Sequence, residues 1–245
     1  MKNNLLIIGA TSSIISSCLN SFIKKKYQIF ASYNSEEKLE NVELDVRNSK
    51  NIKFFKLDLN QEDQKILEIL KKNEVKADMI INAVGGSFGI KDYPENLDNW
   101  KKSLDLNILK HILINNFFMR EMRRNNFGRI LFFSTTAVEE KNSSITYSAS
   151  KAFLENYVKK SAILFGKNNI LTNCIKTSVI AEKNNNWNKA LEQNPEFVKE
   201  FVKKNISVQR TGKAEDLVDF INLIISENNT FMNGSIVRID GGVKF

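Results

Sequence analysis

A run of apolar residues that leads directly into a glycine turn opens this chain and limits its possible folds more than any other feature. Leu5-Leu6-Ile7-Ile8 is continuously apolar, which is typical of a strand buried on both faces and hence of a parallel sheet. Gly9-Ala10-Thr11-Ser12-Ser13-Ile14-Ile15 follows, and a helix-compatible stretch extends to about Lys26. A strand, a tight glycine turn and a helix N-terminus together can bind a dinucleotide pyrophosphate on free backbone N–H groups.

Apolar runs alternate with helix-compatible segments along the rest of the chain. Further strands are expected at residues 27–33, 52–57, 79–81, 130–133, 170–175 and 235–239, and helices at 61–73, 97–125, 144–166 and 215–226. The alternation predicts one α/β domain over residues 1–245, a doubly wound Rossmann-type fold with a parallel sheet of about seven strands. Residues 177–209 contain Trp187 and two amphipathic pieces, and residues 180–208 are interpreted as a substrate lid.

Charge and apolar patterning exclude several functional classes. The net charge of +8 comes from lysines spread along the chain, whereas a nucleic-acid-binding surface requires a cluster on one face. No apolar segment approaches the length of a transmembrane helix, and the first apolar run is too short for a signal peptide. We therefore expect a cytoplasmic protein with no nucleic-acid or membrane partner.

The cysteine and histidine content excludes further chemistry. Cys18 and Cys174 are far apart in the sequence and are expected to be small buried residues in a reducing compartment. His111 is the sole histidine, which effectively excludes a zinc site or a Ser-His-Asp triad.

Tyr147 and Lys151 form the candidate proton-transfer pair. They are four residues apart on a predicted helix, so their side chains share one face. A tyrosine hydroxyl has an ordinary pKa of about 10, too high for efficient proton exchange near neutrality. An ammonium about 4 Å away is expected to favour the phenolate by roughly 4 kcal/mol, or about 3 pK units, before desolvation is subtracted. A nearby hydroxyl such as Ser134 could bond the same substrate oxygen.

Taken in order, these motifs resemble the short-chain dehydrogenase/reductase family over nearly the whole chain. The resemblance rests on the Gly9 turn, Asp58, Asn82-Ala83-x-Gly85, Asn107, Ser134, and Tyr147 with Lys151. The tail, with Gln209-Arg210-Thr211-Gly212 and Asp240-Gly241-Gly242, is also similar to the family. The resemblance implies hydride transfer between a nicotinamide cofactor and a small carbonyl or secondary alcohol.

The resemblance also implies a role for each matching residue. Tyr147 is the expected general acid or base, Lys151 lowers its pKa and holds the ribose, and Asn107 anchors a relay water. Ser134 orients the substrate oxygen. The cofactor is expected against residues near one edge of the sheet: Gly9, Thr11, Ser12, Ser13, Ile14, Tyr33, Asn34, Ser35, Asp58, Leu59, Asn82, Ala83, Val84, Gly85, Tyr147, Lys151 and Ile180.

The catalytic hydroxyl can be assigned in two ways. The family's usual separation of 13 residues from the tyrosine (147 − 134 = 13) selects Ser134, whereas counting along the strand from Gly128-Arg129 favours Thr135. We choose Ser134.

The chain departs from the family pattern at three places. Ser13 and Ile15 replace two further glycines of the turn, and Ile15 is expected to push the helix outward or to face a pocket. Thr177-Ser178 replaces a Pro-Gly pair before Ile180, the expected nicotinamide contact. Ser32-Tyr33-Asn34-Ser35 lacks the carboxylate that binds ribose hydroxyls and repels a 2′-phosphate, so we expect NADP(H) rather than NAD(H).

Two other functions remain open at this point. The altered glycine turn is compatible with a dinucleotide-binding sensor or structural protein without turnover, although the intact catalytic set argues against it. An isomerase or dehydratase acting on a nucleotide sugar uses the same residues but generally carries a larger C-terminal domain. The polar, asparagine-rich lid suggests a polar substrate such as a sugar derivative. The family resemblance implies a homodimer or homotetramer paired through the helices near 97–125 and 144–166.

Overall fold

The computed structural model describes residues 3–90, 97–141, 143–183 and 185–244. Within them, seven strands form one sheet in which every neighbouring pair is parallel. The strands are β1 (Asn4–Ile8), β2 (Gln28–Tyr33), β3 (Ile52–Lys56), β4 (Met79–Asn82), β5 (Gly128–Thr135), β6 (Ile170–Thr177) and β7 (Ile236–Ile239). Their order is β3-β2-β1-β4-β5-β6-β7, so the winding reverses between β1 and β4. The predicted doubly wound Rossmann-type α/β fold is confirmed.

Helices cover both faces of the sheet. The described α-helices are α1 (Ser13–Lys24), α2 (Glu36–Glu40), α3 (Leu44–Arg47), α4 (Asp63–Lys72), α5 (Leu97–Leu104), α6 (Lys110–Arg124), α7 (Ile145–Phe165), α8 (Asn186–Gln193), α9 (Pro195–Asn205) and α10 (Glu215–Ile225). Apolar residues of α1 and α10 pack on one face, and those of α4, α6 and α7 pack on the other. No helix among these described residues is long and apolar enough to cross a membrane.

Strand β1 shows why the first apolar run is continuous. Leu5 and Ile7 point into the layer that contains α1 and α10, whereas Leu6 and Ile8 point into the opposite layer. All four side chains have no exposed surface. Since both faces of the strand are covered, a polar residue at any of these positions would be buried, and the sequence therefore does not alternate.

The long helix predicted over residues 97–125 contains one wide turn. Asp105–Leu109 is π-helical and joins α5 to α6. A π turn inserts one residue relative to an α-helix and is frequent at functional sites. Asn107 lies in this turn and has no exposed surface.

After β6 the chain leaves the sheet and returns to it only at β7. The two amphipathic pieces predicted there are α8 and α9. Their apolar residues, Trp187 among them, form a small cluster with Val179 and Ile206. A bridge between Ile206 and Val243 ties this layer to the C-terminal segment. The layer lies beside the carboxyl ends of the strands, where a lid would have to be; Asn184, within the predicted lid, lies outside the described residues.

Candidate active site

A cavity of about 980 Å³ opens at the carboxyl ends of the strands. Ile14 lines it from the first turn of α1, Gly85 from the turn after β4, and Thr135 from the end of β5. Trp187 and Asn205 line it from the layer of α8 and α9. Open α/β sheets bind their ligands in such a crevice, at the point where the strand order reverses.

Thr135 and Tyr147 meet in this cavity. Thr135 is the last residue of β5 and Tyr147 lies in the first turn of α7, so both side chains are held by the ends of regular elements. The Thr135 side chain lies close to the Tyr147 hydroxyl and lowers the pKa of that hydroxyl. Thr135 Oγ1 also accepts a hydrogen bond from the Ala137 N–H at 3.2 Å, which caps the short turn after β5. This arrangement allows two hydroxyl groups to bond one substrate oxygen.

Ser134 points to the other face of β5, because successive side chains of a strand alternate. Its hydroxyl donates to Glu155 Oε1 at 2.6 Å, and the residue is only 3% exposed. Glu155 is in turn paired with Lys176, whose Nζ lies 2.9 Å from the same oxygen. Ser134, the predicted catalytic hydroxyl, is therefore directed away from Tyr147, and Thr135, the alternative obtained by counting along the strand, lies beside Tyr147.

Burial dominates the protonation of Tyr147. It raises the pKa of the phenol from 10.0 to about 12; the Thr135 hydrogen bond lowers this pKa and the Glu140 carboxylate raises it. Lys151 Nζ lies 5.9 Å from the Tyr147 ring centroid and donates to the Phe133 carbonyl at 2.8 Å. The lowering of the Tyr147 pKa that is expected from Lys151 is therefore opposed by burial. Burial also lowers the pKa of Lys151 itself from 10.5 to about 8.

Gly85 allows Lys151 and Asn107 to approach the turn that follows β4. A Cβ atom at Gly85 would lie 2.8 Å from Lys151 Nζ and 2.9 Å from Asn107 Oδ1. Asn107 Oδ1 accepts from the Gly86 N–H at 2.9 Å, and its Nδ2 donates to the carbonyls of Gly86 and Ser103 at 3.0 and 2.9 Å. The predicted residues of this turn, the π turn and α7 are thus brought together.

The glycine turn keeps its shape despite its two substitutions. Gly9 has φ +86°, and a Cβ atom there would lie 2.7 Å from Val84 Cγ2, so this glycine is required. Neither Ser13 nor Ile15 has a positive φ. Ile15 is 1% exposed and packs in the apolar core, and it is not among the described residues that line the cavity.

The end of β2 is hydrogen-bonded to the glycine turn. Ser32 Oγ accepts from the Gly9 N–H at 3.0 Å, a contact that the sequence analysis did not assign. The Tyr33 hydroxyl donates to Glu36 Oε1 at 3.1 Å, and Lys56 Nζ lies 3.8 Å from the same oxygen. The Glu36 carboxylate and the Lys56 ammonium therefore flank the expected position of the adenosine ribose, where NADP(H) differs from NAD(H) by a 2′-phosphate.

Comparison with known proteins identifies the family to which this arrangement belongs. A family model described as enoyl-(acyl carrier protein) reductase matches residues 9–244. The chain belongs to the short-chain dehydrogenase/reductase family. Related proteins include named dehydrogenases, such as the 7alpha-hydroxysteroid dehydrogenase of Escherichia coli, so this family member is an oxidoreductase that acts on alcohol or carbonyl groups.

Several relatives share the whole length of this short-chain dehydrogenase/reductase. The oxidoreductase YvrD of Bacillus subtilis is 24% identical over 251 residues, which cover 98% of this chain and 95% of YvrD. Glucose 1-dehydrogenase 2 of the same organism is 22% identical, over 97% of this chain and 93% of the relative. The structure of ElxO with NADP bound has a TM-score of 0.82 at 24% identity and 98% coverage of both chains. A 3-oxoacyl-[acyl-carrier protein] reductase with bound NAD from Brucella melitensis has a TM-score of 0.85 at 18% identity, covering 100% of this chain and 92% of that one.

The residues of this family member fit a dinucleotide. The first turn of α1 contains no acidic residue, and the first N–H groups of a helix have no intrahelical partner, so a pyrophosphate would meet donors and no opposing charge. Ile180 is 6% exposed and lines the cavity. Other predicted cofactor residues lie at or just beyond the carboxyl ends of β1, β2, β3 and β4: Thr11, Ser12, Asn34, Ser35, Asp58, Leu59, Asn82 and Ala83.

A network of charged side chains around the buried Lys176 was not predicted. Lys176, with a 4% exposed side chain, lies 2.7 Å from Glu139 Oε1 and 2.9 Å from Glu155 Oε1. Arg238 of β7 lies 2.8 Å from Glu139 Oε2. The network joins three adjacent strands to α7, and Ser134 is one of its members. A lysine inside the otherwise uncharged β6 was the signal that could have indicated it.

Proposed function

We propose that this protein is an NADPH-dependent oxidoreductase that transfers a hydride between the nicotinamide and a small polar carbonyl compound or secondary alcohol. The meeting of Thr135 and Tyr147 in the cavity, with Lys151 and Asn107 against the adjoining turn, is the observation that carries this proposal. Thr135 replaces Ser134 in the catalytic set.

The protein's residues orient the substrate and move the proton. When bound, the nicotinamide supplies or accepts the hydride. In carbonyl reduction Tyr147 donates its phenolic proton to the substrate oxygen, and Thr135 hydrogen-bonds the same oxygen. Lys151 stabilises the phenolate left after the transfer and holds the ribose hydroxyls. Asn107 anchors a relay water through its backbone, because its side-chain amide is hydrogen-bonded to Gly86 and Ser103.

The end of β2 supports a preference for NADP(H). Residues 33–35 offer a hydroxyl, an amide and a second hydroxyl but no carboxylate, and Lys56 adds a positive charge. Glu36 opposes this preference, but it lies against Lys56 and the Tyr33 hydroxyl. Tyr33→Asp places a carboxylate where it can accept from the ribose and repel a 2′-phosphate, so we expect the NADPH preference to reverse in that variant.

The lining of the cavity supports a polar substrate. Glu139, Glu140, Asn185 and Asn205 contribute polar groups to it, and Trp187 provides an apolar surface on which a small ring can rest. The layer formed by α8 and α9 would act as the substrate lid. We therefore propose a sugar derivative as the substrate class. High activity on a sterol ketone combined with none on polyols or sugar ketones would contradict it.

The first experiment is a titration of the purified protein with NADPH and with NADH, followed by fluorescence transfer from protein to nicotinamide. We expect micromolar binding of NADPH and much weaker binding of NADH. Turnover of sugar ketones should then be detected by NADPH oxidation and should be lost in Tyr147→Phe, which retains the ring. NADPH binding without turnover of any carbonyl would favour a dinucleotide sensor, and the absence of binding would refute the proposal.

Assembly and location complete the proposal. We propose a cytoplasmic homodimer or homotetramer that pairs through α6 and α7. Phe153 on α7 is 49% exposed, while Phe117 and Tyr157 are partly buried, so an apolar strip remains available to a second copy. Light scattering tests this part, and a monomeric mass would refute it.

A further inference from the structure

The sole histidine holds both ends of the turn that follows β4. His111 lies one helical turn beyond Asn107 on the same helix and is 1% exposed. Its Nδ1 is 3.1 Å from Asn82 Oδ1, and its Nε2 is 2.9 Å from the Val84 carbonyl. The ring also makes an edge contact with Phe132 of β5, with 6.4 Å between centroids. The imidazole therefore bridges the last residue of β4 and the second residue beyond it.

The turn that His111 holds adjoins the glycine turn on one side and Lys151 and Asn107 on the other. Val84 lies against Gly9, where an added Cβ atom would come within 2.7 Å of Val84 Cγ2. Gly85 lies against Lys151 and Asn107 at similarly short distances. A displacement of Val84 by a few tenths of an ångström would reach the glycine turn on one side and the catalytic lysine on the other.

We propose that His111 is a positioning residue that sets the Asn82–Gly85 turn for cofactor binding, through the hydrogen bond from Nε2 to the Val84 carbonyl and the contact of Nδ1 with Asn82. This inference rests on the proposed function, since the cofactor is NADPH. The histidine itself does not line the cavity among the described residues, so it acts through Asn82 and Val84 and not by direct contact with a substrate.

The hydrogen-bond partners assign the ring proton to Nε2. The Val84 carbonyl can only accept, so Nε2 donates to it. Asn82 Nδ2 donates to the Leu131 carbonyl at 3.2 Å, which directs Oδ1 toward Nδ1. A neutral ring carries one proton, so Nδ1 lies in contact with Asn82 Oδ1 but donates no hydrogen bond to it. Burial, aided by the charge of Lys151, lowers the pKa of His111 to about 4 and keeps the ring neutral.

The test uses three variants and two measurements on the full chain. His111→Phe keeps a planar ring but removes both nitrogens, whereas His111→Gln retains one donor and one acceptor. Met122→Ala is the matched control: Met122 is 1% exposed on the same helix but lies against Gly128, at the opposite end of β5. Each variant is titrated with NADPH by fluorescence, and its thermal midpoint is measured.

We expect His111→Phe to raise the NADPH Kd about tenfold, as loss of a single buried hydrogen bond can do. His111→Gln should recover part of that loss, and Met122→Ala should lower the thermal midpoint without changing the Kd. If the wild type binds NADPH and His111→Phe binds it with the same Kd, the positioning role of His111 is overturned while the proposed function stands. Absence of NADPH binding by the wild type would instead overturn the proposed function, and this role with it.

A spectroscopic measurement adds a readout that a purely structural role would not change. Because His111 is the only histidine, ¹⁵N-histidine labelling gives one imidazole signal pair. We expect a neutral ring protonated at Nε2, and we expect both nitrogen shifts to move when NADPH saturates the protein. Shifts that stay fixed while NADPH binds would overturn the proposal.

Discussion

Ser134 and Thr135 are adjacent residues, and removal of their hydroxyl groups should have different consequences. Thr135→Val removes the hydroxyl beside Tyr147 and retains the shape of the side chain. Ser134→Ala removes the hydroxyl that donates to Glu155 on the other face of β5. We expect the first variant to lose activity and the second to lose stability.

The structure provides magnitudes for both effects. Loss of one hydrogen-bond donor to the reacting oxygen typically costs roughly 100- to 1,000-fold in kcat, or about 3 to 4 kcal/mol. The Ser134 bond is to a charged, buried acceptor and should contribute about 1.5 to 3 kcal/mol to the free energy of unfolding. For a chain of 245 residues the unfolding entropy is roughly 0.5 kcal/mol/K, so Ser134→Ala should lower the thermal midpoint by about 3 to 6 °C.

The assay compares both variants under the same conditions. The kcat and KM of NADPH-linked reduction are measured well below the thermal midpoint of each variant, and the midpoints are measured by calorimetry. Ser134→Ala should retain a kcat near the wild-type value, and Thr135→Val should lower its midpoint only by the small loss of the Ala137 cap. If Ser134→Ala lost its kcat while Thr135→Val kept it, the assignment of the two faces of β5 would be refuted.

Three further predictions concern buried ionisable groups. Lys176→Met should cost roughly 3 to 5 kcal/mol in urea unfolding, because it leaves Glu155 buried without a counter-charge, and adding Glu155→Gln should restore most of that loss. The absorbance at 295 nm of wild type minus Tyr147→Phe should show no tyrosinate below about pH 11, because burial raises the Tyr147 pKa to about 12; a step near neutrality would contradict this. Burial lowers the His111 pKa from 6.5 to about 4, so the folded state binds fewer protons than the unfolded chain. The contribution of His111 to the free energy of unfolding is therefore complete above pH 6.5 and falls by roughly 3 kcal/mol as the pH is lowered toward 4. The difference in the pH dependence of stability between wild type and His111→Gln measures this loss.

The fold could be predicted from the sequence because its determinants are local. Leu5-Leu6-Ile7-Ile8 indicates a doubly covered strand without any knowledge of its neighbours, and alternation with helices then restricts the topology. The helix through Asn107 was predicted, but its π turn was not, because a single inserted residue leaves no clear mark on apolar periodicity.

The candidate site was less predictable because its chemistry depends on which face each side chain occupies. Ser134 and Thr135 are both small hydroxyl residues, and only the register with β6, which places Lys176 beside Ser134, separates their environments. The Tyr147 pKa is hard to predict for a related reason: spacing along a helix gives the proximity of Lys151 but not the extent of burial, which raises this pKa. His111 served only to exclude zinc and triad chemistry, since its two partners are distant in sequence.

The π turn at Asp105–Leu109 makes the chain sensitive to length at one point. An α-helix advances about 100° per residue, so deleting one residue from this turn would rotate α6 by that angle relative to α5. Asn107, which bonds Gly86, and His111, which contacts Asn82 and Val84, could then no longer face the turn after β4 together. Substitutions along this helix affect one contact at a time, whereas a one-codon deletion here would separate Asn107 from His111 in a single step.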